Sequence, residues 1–251
     1  MILSWDIRSF ERLESTNREA QAQAAAGARE GAVIWAREQT AGYGRRGRAW
    51  MAGTDNLTAS VILRPERAAR ETGQLAFVLA LAIGEALSDP AAAGGAAIGY
   101  KWPNDVLLNG RKLGGILLES SFRGDRAEWV VAGFGVNLRN HPTNAIFPAT
   151  DLLAEGVVAP EPGDCLDAVL AALAPLYRMW TGDGFAAIRA RWREKAVGLG
   201  EMAELRLADE TFEARLVDLD DEGALLVAGR GGQRRIHAGE VFWPPQDREP
   251  L

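Results

Sequence analysis

Apolar residues recur at the spacing of an α-helix in four segments of the chain. The first segment follows Ser15 and Thr16, which are typical helix-capping residues, and its alanine-rich pattern stops at Gly27. The second segment is apolar on nearly every side, which is typical of a helix buried on all faces. The pattern predicts helices at 16–26, 71–87, 163–180 and 185–196.

Shorter apolar runs that are rich in β-branched residues lie between these helices. Asn109-Gly110 is a typical two-residue hairpin turn, so the runs on either side of it should pair as antiparallel strands. Residues 39–56 are rich in glycine, and we expect little regular structure there. The runs predict strands at 32–37, 57–63, 98–108, 114–120 and 129–138.

The character of the chain changes after about residue 200, where short alternating segments are separated by turns rich in aspartate and glycine. These segments predict a small all-β module with strands at 203–207, 211–219, 224–228 and 234–236. A mixed sheet with helices followed by such a module is an α+β fold. We expect two domains, 1–198 and 199–251.

Composition and charge limit the classes of function. The chain has 251 residues, a hydrophobic fraction of 47% and a formal net charge of −6. Binding to duplex nucleic acid depends on many Lys and Arg contacts with phosphate, so an acidic chain is a poor general nucleic-acid binder. The N-terminus does not resemble a signal peptide, and the longest apolar stretch, 75–87, is too short to span a membrane. We therefore expect a cytoplasmic protein that binds neither DNA nor membranes.

The cysteine and histidine content argues against disulfides and structural zinc. Cys165 is the single cysteine, which excludes an intrachain disulfide, and its apolar helical surroundings favour a buried core thiol. His141 and His237 are far apart in sequence and have no cysteine partners, so a structural zinc site is not expected.

Two cationic segments that contain glycine, 42–48 and 101–116, are the most informative chemical feature. Glycine lets backbone amides approach a ligand closely, and fixed positive charge beside it suits a phosphate or a carboxylate. Arginine supplies almost all of the positive charge, yet two of the three lysines, Lys101 and Lys112, lie in the second segment. Ordinary turns and surface lysines are the alternative explanation.

Five short motifs follow one another along the chain. They are Ser15-Thr16-Asn17, Gln39 to Arg48, Lys101-Trp102-Pro103-Asn104-Asp105, Lys112 to Ile116, and Gly133 to Asn137. Their order and spacing resemble those of biotin–protein ligases of the short kind, which lack an N-terminal DNA-binding domain, and the resemblance covers nearly the whole chain. Only fourteen residues precede Ser15, too few for a helix-turn-helix, so a repressor function is not expected.

The resemblance implies a fold of the class II synthetase kind, as in biotin and lipoate ligases: a mixed sheet with flanking helices and a small C-terminal SH3-like β-barrel. It also implies a reaction in which biotin and ATP, with Mg²⁺, form biotinyl-5′-AMP. Biotin is then transferred to a lysine of a biotin carboxyl carrier protein or domain of a biotin-dependent carboxylase. Whether the enzyme forms a homodimer is left open.

The resemblance further assigns roles to individual residues. The expected catalytic residues are Arg45, Lys112 and Asp105. The expected biotin-binding residues are Ser15, Thr16, Asn17, Gln39, Gly42, Tyr43, Gly44, Arg45, Trp50, Lys112, Gly115 and Gly135. The expected ATP- and adenylate-binding residues are Arg45, Arg48, Lys101, Asn104, Lys112, Asn137 and Phe147, with Mg²⁺ near Asn137.

Several of these residues also have a plain structural explanation. The serine and threonine of the first motif can simply cap a helix, and Trp50 can be a core side chain. Asp105 can form an ion pair with Lys101 or Arg111, and its identity alone does not make it a base.

The sequence departs from the family pattern at Tyr43 and near Phe147. Tyr43 stands where many relatives carry Arg or His, in the loop that orders over the adenylate. Phe147 is the nearest aromatic residue to the position of a tryptophan that stacks on adenine in some relatives. Arg46 is the loop residue that we expect in an outward-facing salt bridge.

Three other functions compete with this interpretation. A lipoate/octanoate–protein ligase or transferase shares the fold and the adenylate chemistry, but the arginine loop and the lysine-tryptophan-proline motif favour biotin. A non-catalytic binding protein need not retain Arg45 and Lys112, which are both present. A nucleic-acid binder is disfavoured by the acidic net charge.

Overall fold

The computed structural model describes residues 3–50, 53–229 and 231–243. Its larger sheet has seven strands: β1 (Asp6–Leu13), β2 (Ala32–Gln39), β3 (Leu57–Leu63), β4 (Ile98–Lys101), β5 (Asp105–Leu108), β6 (Arg111–Arg123) and β7 (Arg126–Val136). Their order across the sheet is β1-β2-β3-β7-β6-β5-β4. β1 and β2 are parallel, and the other neighbouring pairs are antiparallel, so the predicted mixed sheet is confirmed.

Five α-helices are present in the described residues: α1 (Thr16–Ala25), α2 (Leu75–Ala86), α3 (Ser88–Ala93), α4 (Pro162–Asp183) and α5 (Ala186–Glu194). α1 covers one face of the sheet, where Ala20 packs with Ile34 and Ile62. α2 and α4 pack together on the opposite face, with Val33 and Val61 beneath them. Both faces of the central strands are therefore buried. No helix within the described residues is long and apolar enough to cross a membrane.

Most elements agree with the periodicity. Asn109 and Gly110 have φ angles of 50° and 77° and form the predicted hairpin turn between β5 and β6. The predicted helix at 71–87 begins with a 3₁₀ turn, Ala69–Gln74, before α2. Cys165 lies in α4 and is 1% exposed, as expected of a core thiol.

The single strand predicted at 98–108 is wrong. The chain reverses after Lys101, and Lys101 pairs with Asp105 across a tight hairpin. The reason is Pro103, which has no N–H to donate to a strand ladder. β1 and α3 were not predicted. β1 lies at the sheet edge and is mostly exposed, so it lacks the apolar alternation that identifies a half-buried strand.

A second, antiparallel sheet contains β8 (Met202–Arg206), β9 (Thr211–Leu219), β10 (Leu225–Gly229), β11 (Gly232–Ile236) and β12 (Glu240–Phe242). Its order is β11-β10-β9-β8-β12. Among the described residues β11 and β12 do not pair with each other, so the sheet is open where a closed barrel was expected. β12 has only three residues, and all of them pair with β8.

The second sheet packs on the first unit close to the cationic motifs. The indole Nε1 of Trp102 donates a hydrogen bond of 3.1 Å to the carbonyl of Gly223. Gly223 also lies against Phe77 of α2, where an added Cβ would be 3.0 Å from the ring. Trp243, which follows β12, packs closely over Gly198. The hairpin between β4 and β5 therefore contacts the second unit through Trp102.

The packing of this hairpin against α2 leads to a prediction about stability. A Cβ at Gly84 would fall 2.1 Å from the hydroxyl of Tyr100, whose ring is buried and stacks on Trp192 at 6.0 Å. We expect Gly84→Ala to lower the free energy of unfolding by about 1–3 kcal/mol, because the buried ring cannot move aside. Chemical denaturation measures this.

Gly182→Ala is the matched control, because Gly182 lies in the last turn of α4 with no atom within 4 Å of an added Cβ. Alanine should leave stability unchanged there or raise it by up to about 1 kcal/mol. Equal effects of the two substitutions would show that the Tyr100 contact does not constrain α2.

Candidate active site

Two neighbouring strands of the large sheet carry glycine at the centre of the site. Gly115 of β6 and Gly135 of β7 are cross-strand partners, so the sheet has no side chains at this point. We call these two residues the glycine floor. The ring of Trp50 lies on it, and a Cβ at Gly135 would be 2.3 Å from that ring. Only glycine permits this contact, and Trp50 therefore lies over the floor rather than in the core.

Asp105 lies between the two lysines of the second cationic segment. Its carboxylate is 2.6 Å from Lys112 Nζ and 3.6 Å from Lys101 Nζ. Asp105 and Lys101 are buried, whereas the Lys112 side chain retains 27% of its exposure. Lys112 Nζ also lies 5.7 Å from the centre of the Trp50 ring. Lys112 is thus the lysine that faces the glycine floor.

The ion pairs decide the protonation state of Asp105. Burial alone would raise the pKa of this carboxyl, but Lys112 and Lys101 outweigh that effect and hold the pKa below its usual value. A carboxylate with a lowered pKa is a weak proton acceptor and a strong counter-ion. Asp105 therefore forms the ion pair with Lys101 that was the structural alternative for this residue, and it pairs with Lys112 as well. Arg111, the other possible partner, pairs with Glu155 instead.

Aromatic rings surround the ammonium group of Lys101. Phe147 lies 4.5 Å from Nζ, Phe242 lies at 5.5 Å and Trp243 at 5.9 Å, measured to the ring centres. Burial lowers the pKa of Lys101, and Asp105 acts in the opposite direction. Phe147 therefore contacts a cation in this structure, while its stacking on adenine stays a prediction.

The loop at 42–48 folds back on itself. Trp50 N donates to the carbonyl of Gly42, and Gly44 N donates to the carbonyl of Arg48. Gly42 has no room for a side chain, because a Cβ would be 2.7 Å from the Trp50 carbonyl oxygen. The close turn at Gly42 brings Trp50 back over the floor, and Arg45 to Arg48 lie in the intervening turn.

The arginines of this loop contact both structural units. Arg45 Nη1 donates to Asn104 Oδ1 at 3.0 Å, and Arg45 Nη2 donates to the carbonyl of Gly239 at 3.2 Å. Arg48 pairs with Glu240 of β12 at 2.5 Å. Arg46 forms a salt bridge with the same carboxylate at 3.5 Å, so it pairs with a largely buried residue of the site and not, as expected, with an outward-facing one.

Glu240 was not recognised from the sequence as part of the site. It is 9% exposed, and its pKa is held below the usual value because Arg48, with Arg46 and Arg45, outweighs the effect of burial. A signal was present, since Glu240 precedes two apolar residues of a short strand and charged residues are seldom buried without a partner. The partner lies 192 residues away, which no local pattern reveals.

A chain of polar side chains lies on the α1 side of the floor. Thr16 N donates to Gln39 Oε1 at 2.7 Å, and Thr16 Oγ1 lies 2.8 Å from Ser60 Oγ. Ser60 in turn contacts Asn17 Oδ1 at 2.6 Å. Ser15 occupies the helix cap position, but its hydroxyl makes no capping bond. The first motif therefore contributes more than a cap, and Ser60 is a member that the sequence did not predict.

Asn137 directly follows β7, and one of its two side-chain polar atoms has no hydrogen-bond partner among the described residues. Its Nδ2 donates to the carbonyl of Thr150 at 3.0 Å, whereas its Oδ1 is buried without a hydrogen-bond partner in the described part of the chain. Such an oxygen suits Mg²⁺, which prefers oxygen ligands and retains several waters. The described residues contain no cluster of three or more His, Cys, Asp or Glu that could hold a metal.

Comparison with known proteins identifies the family. Residues 9–137 match the model of the biotin/lipoate A/B protein ligase family, and residues 198–243 match the biotin protein ligase C-terminal domain. The chain belongs to this family. It is 40% identical to the biotin–[acetyl-CoA-carboxylase] ligase of Paracoccus denitrificans over 92% of this chain and 98% of that protein.

Other relatives support the same assignment. A biotin–[acetyl-CoA-carboxylase] ligase of Mycobacterium tuberculosis is 34% identical over 90% of this chain and 85% of that protein. The structure of a biotin protein ligase from Aquifex aeolicus with biotin and ATP superposes with a TM-score of 0.80 at 26% identity, covering 94% of this chain and 97% of that one. The fold expected from the motifs is thereby confirmed, with the second sheet open.

The buried ion pairs predict a pH-dependent stability. Asp105→Asn leaves Lys101 and Lys112 without their counter-ion, and we expect it to cost about 3–5 kcal/mol at neutral pH. Because the folded pKa of Asp105 is lowered, the cost is fully present above about pH 4 and disappears as pH falls through that lowered pKa. Urea denaturation between pH 3 and pH 7, at about one-unit steps, measures it.

Glu11→Gln is the control for this series, since the Glu11 side chain is 90% exposed and only 4.0 Å from Arg37. Its effect should stay within about 0.5 kcal/mol at every pH. A cost for Asp105→Asn that stays constant down to pH 3 would contradict the ionic origin of the stabilisation.

Proposed function

We propose that this protein joins biotin to a lysine of a biotin carboxyl carrier domain, using ATP and passing through biotinyl-5′-AMP. The observation that carries the proposal is the placement of Lys112 and the arginine loop beside the glycine floor that Trp50 covers. The indole of Trp50, which rests on this floor, offers a flat apolar wall to a compact ring, and the cations beside it suit a carboxylate and a phosphate. The names of the relatives support biotin as that ligand.

In the first step a biotin carboxylate oxygen bonds to the α-phosphorus of ATP, and the bond to the β-phosphate breaks to release pyrophosphate. Negative charge accumulates around the α-phosphorus as two anions approach each other. Lys112 and Arg45 offset this charge, and both are held by protein contacts before any ligand arrives. Donors that are already in place need no reorganisation during the reaction, which is why they lower the barrier.

Asp105 serves this step by holding the lysines rather than by moving a proton. Its lowered pKa keeps it ionised, so it stays the counter-ion of both lysines and opposes the effect of burial on the pKa of Lys101. Mg²⁺, bound with ATP, would neutralise triphosphate charge, and Asn137 Oδ1, which has no hydrogen-bond partner among the described residues, would help to hold it. Arg48 pairs with Glu240, Asn104 bonds to Arg45 and Phe147 contacts Lys101, and all three are proposed to contact the nucleotide.

In the second step the carrier lysine amine attacks the biotinyl carbonyl carbon, and AMP leaves with the bonding electrons. The amine passes its proton to water or to the phosphate of the departing AMP, since the weakly basic Asp105 is not suited to take it. The polar chain of Thr16, Gln39, Asn17 and Ser15 would hold the ureido ring of biotin during both steps. The partner class is supported by the names of relatives that act on acetyl-CoA carboxylase.

The remaining expectations form part of the same proposal. We divide the chain into a catalytic domain at 1–198 and an SH3-like domain at 199–251, which is supported by the family match at 198–243. We further propose that the protein acts in the cytoplasm and binds neither DNA nor membranes, which cell fractionation tests. Analytical centrifugation would distinguish a monomer from a homodimer.

Lys112→Ala tests the central cation. It should lower kcat/KM for adenylate formation by about 100-fold or more, because a charge that stabilises the transition state is lost. Lys195→Ala is the matched control, since Lys195 is an exposed lysine at the end of α5. Equal rates in Lys112→Ala and Lys195→Ala would remove Lys112 from the mechanism.

The decisive experiment is the acid-dependent exchange of radiolabelled pyrophosphate into ATP, with biotin, lipoate and octanoate compared side by side. Exchange with biotin alone is expected, and it establishes the first step and the substrate together. Exchange only with lipoate or octanoate would assign the protein to the other branch of its family. Binding of biotin without exchange would indicate a non-catalytic binding protein.

A further inference from the structure

One carboxylate oxygen, which does not pair with the proposed catalytic cations, accepts three hydrogen bonds. Oε2 of Glu119, on β6, accepts from Asn17 Nδ2 at 2.8 Å, from Gln21 Nε2 at 2.7 Å and from the hydroxyl of Tyr43 at 2.8 Å. Two donors come from α1 and the third from the 42–48 loop. Glu119 was not singled out by the sequence, and the reaction steps do not use it.

The first consequence concerns the orientation of Asn17. An ionised carboxylate can only accept, so the Asn17 amide nitrogen must face Glu119 and its Oδ1 must face Ser60. The Asn17 amide also lies against the backbone of β7, where a Cβ at Gly133 would be 1.8 Å from Oδ1. Glu119 therefore selects one of the two ways in which this buried amide can point.

The orientation passes along the chain of hydroxyl groups. Ser60 has a single hydroxyl proton. It donates this proton in a hydrogen bond of 2.6 Å to Asn17 Oδ1, which can only accept. The Ser60 oxygen must then accept the proton of Thr16, whose Oγ1 is 2.8 Å away. Thr16 therefore does not donate to Gln39 Oε1, although the two oxygens are only 3.1 Å apart.

This arrangement leaves lone pairs without a donor on two acceptor oxygens. Gln39 Oε1 receives the Thr16 backbone N–H at 2.7 Å and keeps its second lone pair, and Thr16 Oγ1 keeps its own lone pairs. If the Asn17 side-chain amide were rotated by 180°, the direction of the hydrogen bonds would reverse. Thr16 would then donate to Gln39 Oε1 and occupy its second lone pair. The unflipped state thus offers acceptors for two N–H groups, and the flipped state offers one fewer.

We propose that Glu119 is a positioning residue that sets the hydrogen-bond direction of this chain and so selects a ligand with two ring N–H donors. The proposal rests on the proposed function, because the ureido ring of biotin carries two such donors. Tyr43 shares the same oxygen, so the loop that carries Arg45 is held by the group that orders the ureido site. Loop position and ligand selection are linked through one atom.

The test uses a difference in ligand preference that a loss of stability would not produce. Binding of biotin is compared by calorimetry with binding of a cyclic carbamate analogue, in which ring oxygen replaces one ureido N–H. The unmodified chain should prefer biotin by about tenfold, the worth of one hydrogen bond. Glu119→Met, which removes the acceptor, should weaken biotin binding and reduce the preference to within about threefold.

Two further variants separate the possible causes. Glu119→Gln keeps an acceptor oxygen without the charge, and it should retain the preference. Ser60→Ala cuts the chain between Asn17 and Thr16 without disturbing Glu119, and it should lose the preference as Glu119→Met does. It also serves if Glu119→Met fails to fold. Glu128→Met, at a carboxylate of the neighbouring strand that pairs with Arg123, is the matched control and should behave as the unmodified chain.

A preference that survives in Glu119→Met or in Ser60→Ala would overturn the inference. Loss of the preference in Glu119→Gln would overturn it as well, because charge rather than hydrogen-bond direction would then be responsible. Failure of the unmodified chain to bind biotin would overturn the proposed function itself, together with this inference. That outcome is distinct from a loss confined to the variants.

Discussion

The site depends on balancing buried charge within the protein. Lys101 and Lys112 share Asp105, and Arg46 and Arg48 share Glu240. An unpaired ammonium at the buried Lys101 would carry a large desolvation penalty, which Asp105 offsets. Arg46 and Arg48 are 42% and 44% exposed, so Glu240 mainly fixes their positions. The cations can therefore stand ready for anionic substrates without destabilising the fold. Three backbone features hold these ion pairs in position. They are the glycine floor, the closed turn at Gly42 and the packing of the β4–β5 hairpin.

Both sheets contribute residues to the candidate site. Glu240 reaches the arginine loop from β12, and Phe242 and Trp243 lie against the ammonium of Lys101. The tryptophan of the lysine motif, Trp102, returns the contact by bonding to Gly223. A ligand that draws Arg48 away from Glu240 thus acts on the contact between the two units, which gives the second sheet a direct physical connection to the chemistry.

Local patterns predicted what is encoded locally. Helical periodicity located α4 and α5, and Asn109-Gly110 located the β5–β6 turn, because each signal lies within a few residues. Motif resemblance then predicted the residues that face the ligands, and among these Trp50, Lys112 and Gly115 lie together in the structure. The edge strand β1 and the reversal at Pro103 were missed because exposure and a broken ladder leave no apolar period. Ser60, Glu119 and Glu240 were missed because their roles arise from partners brought close only by folding.

The scarcity of lysine has a consequence for chemical self-protection. An acyl adenylate is an activated mixed anhydride, and any amine near it is a competing nucleophile. Two of the three lysines of this chain form ion pairs with Asp105, which holds their ammonium groups in place and disfavours their reaction as free amines. The rest of the cationic side chains, apart from Lys195, are arginines, which stay protonated at any physiological pH and do not acylate readily. The protein thus carries the positive charge that its substrates require while offering few sites for self-acylation.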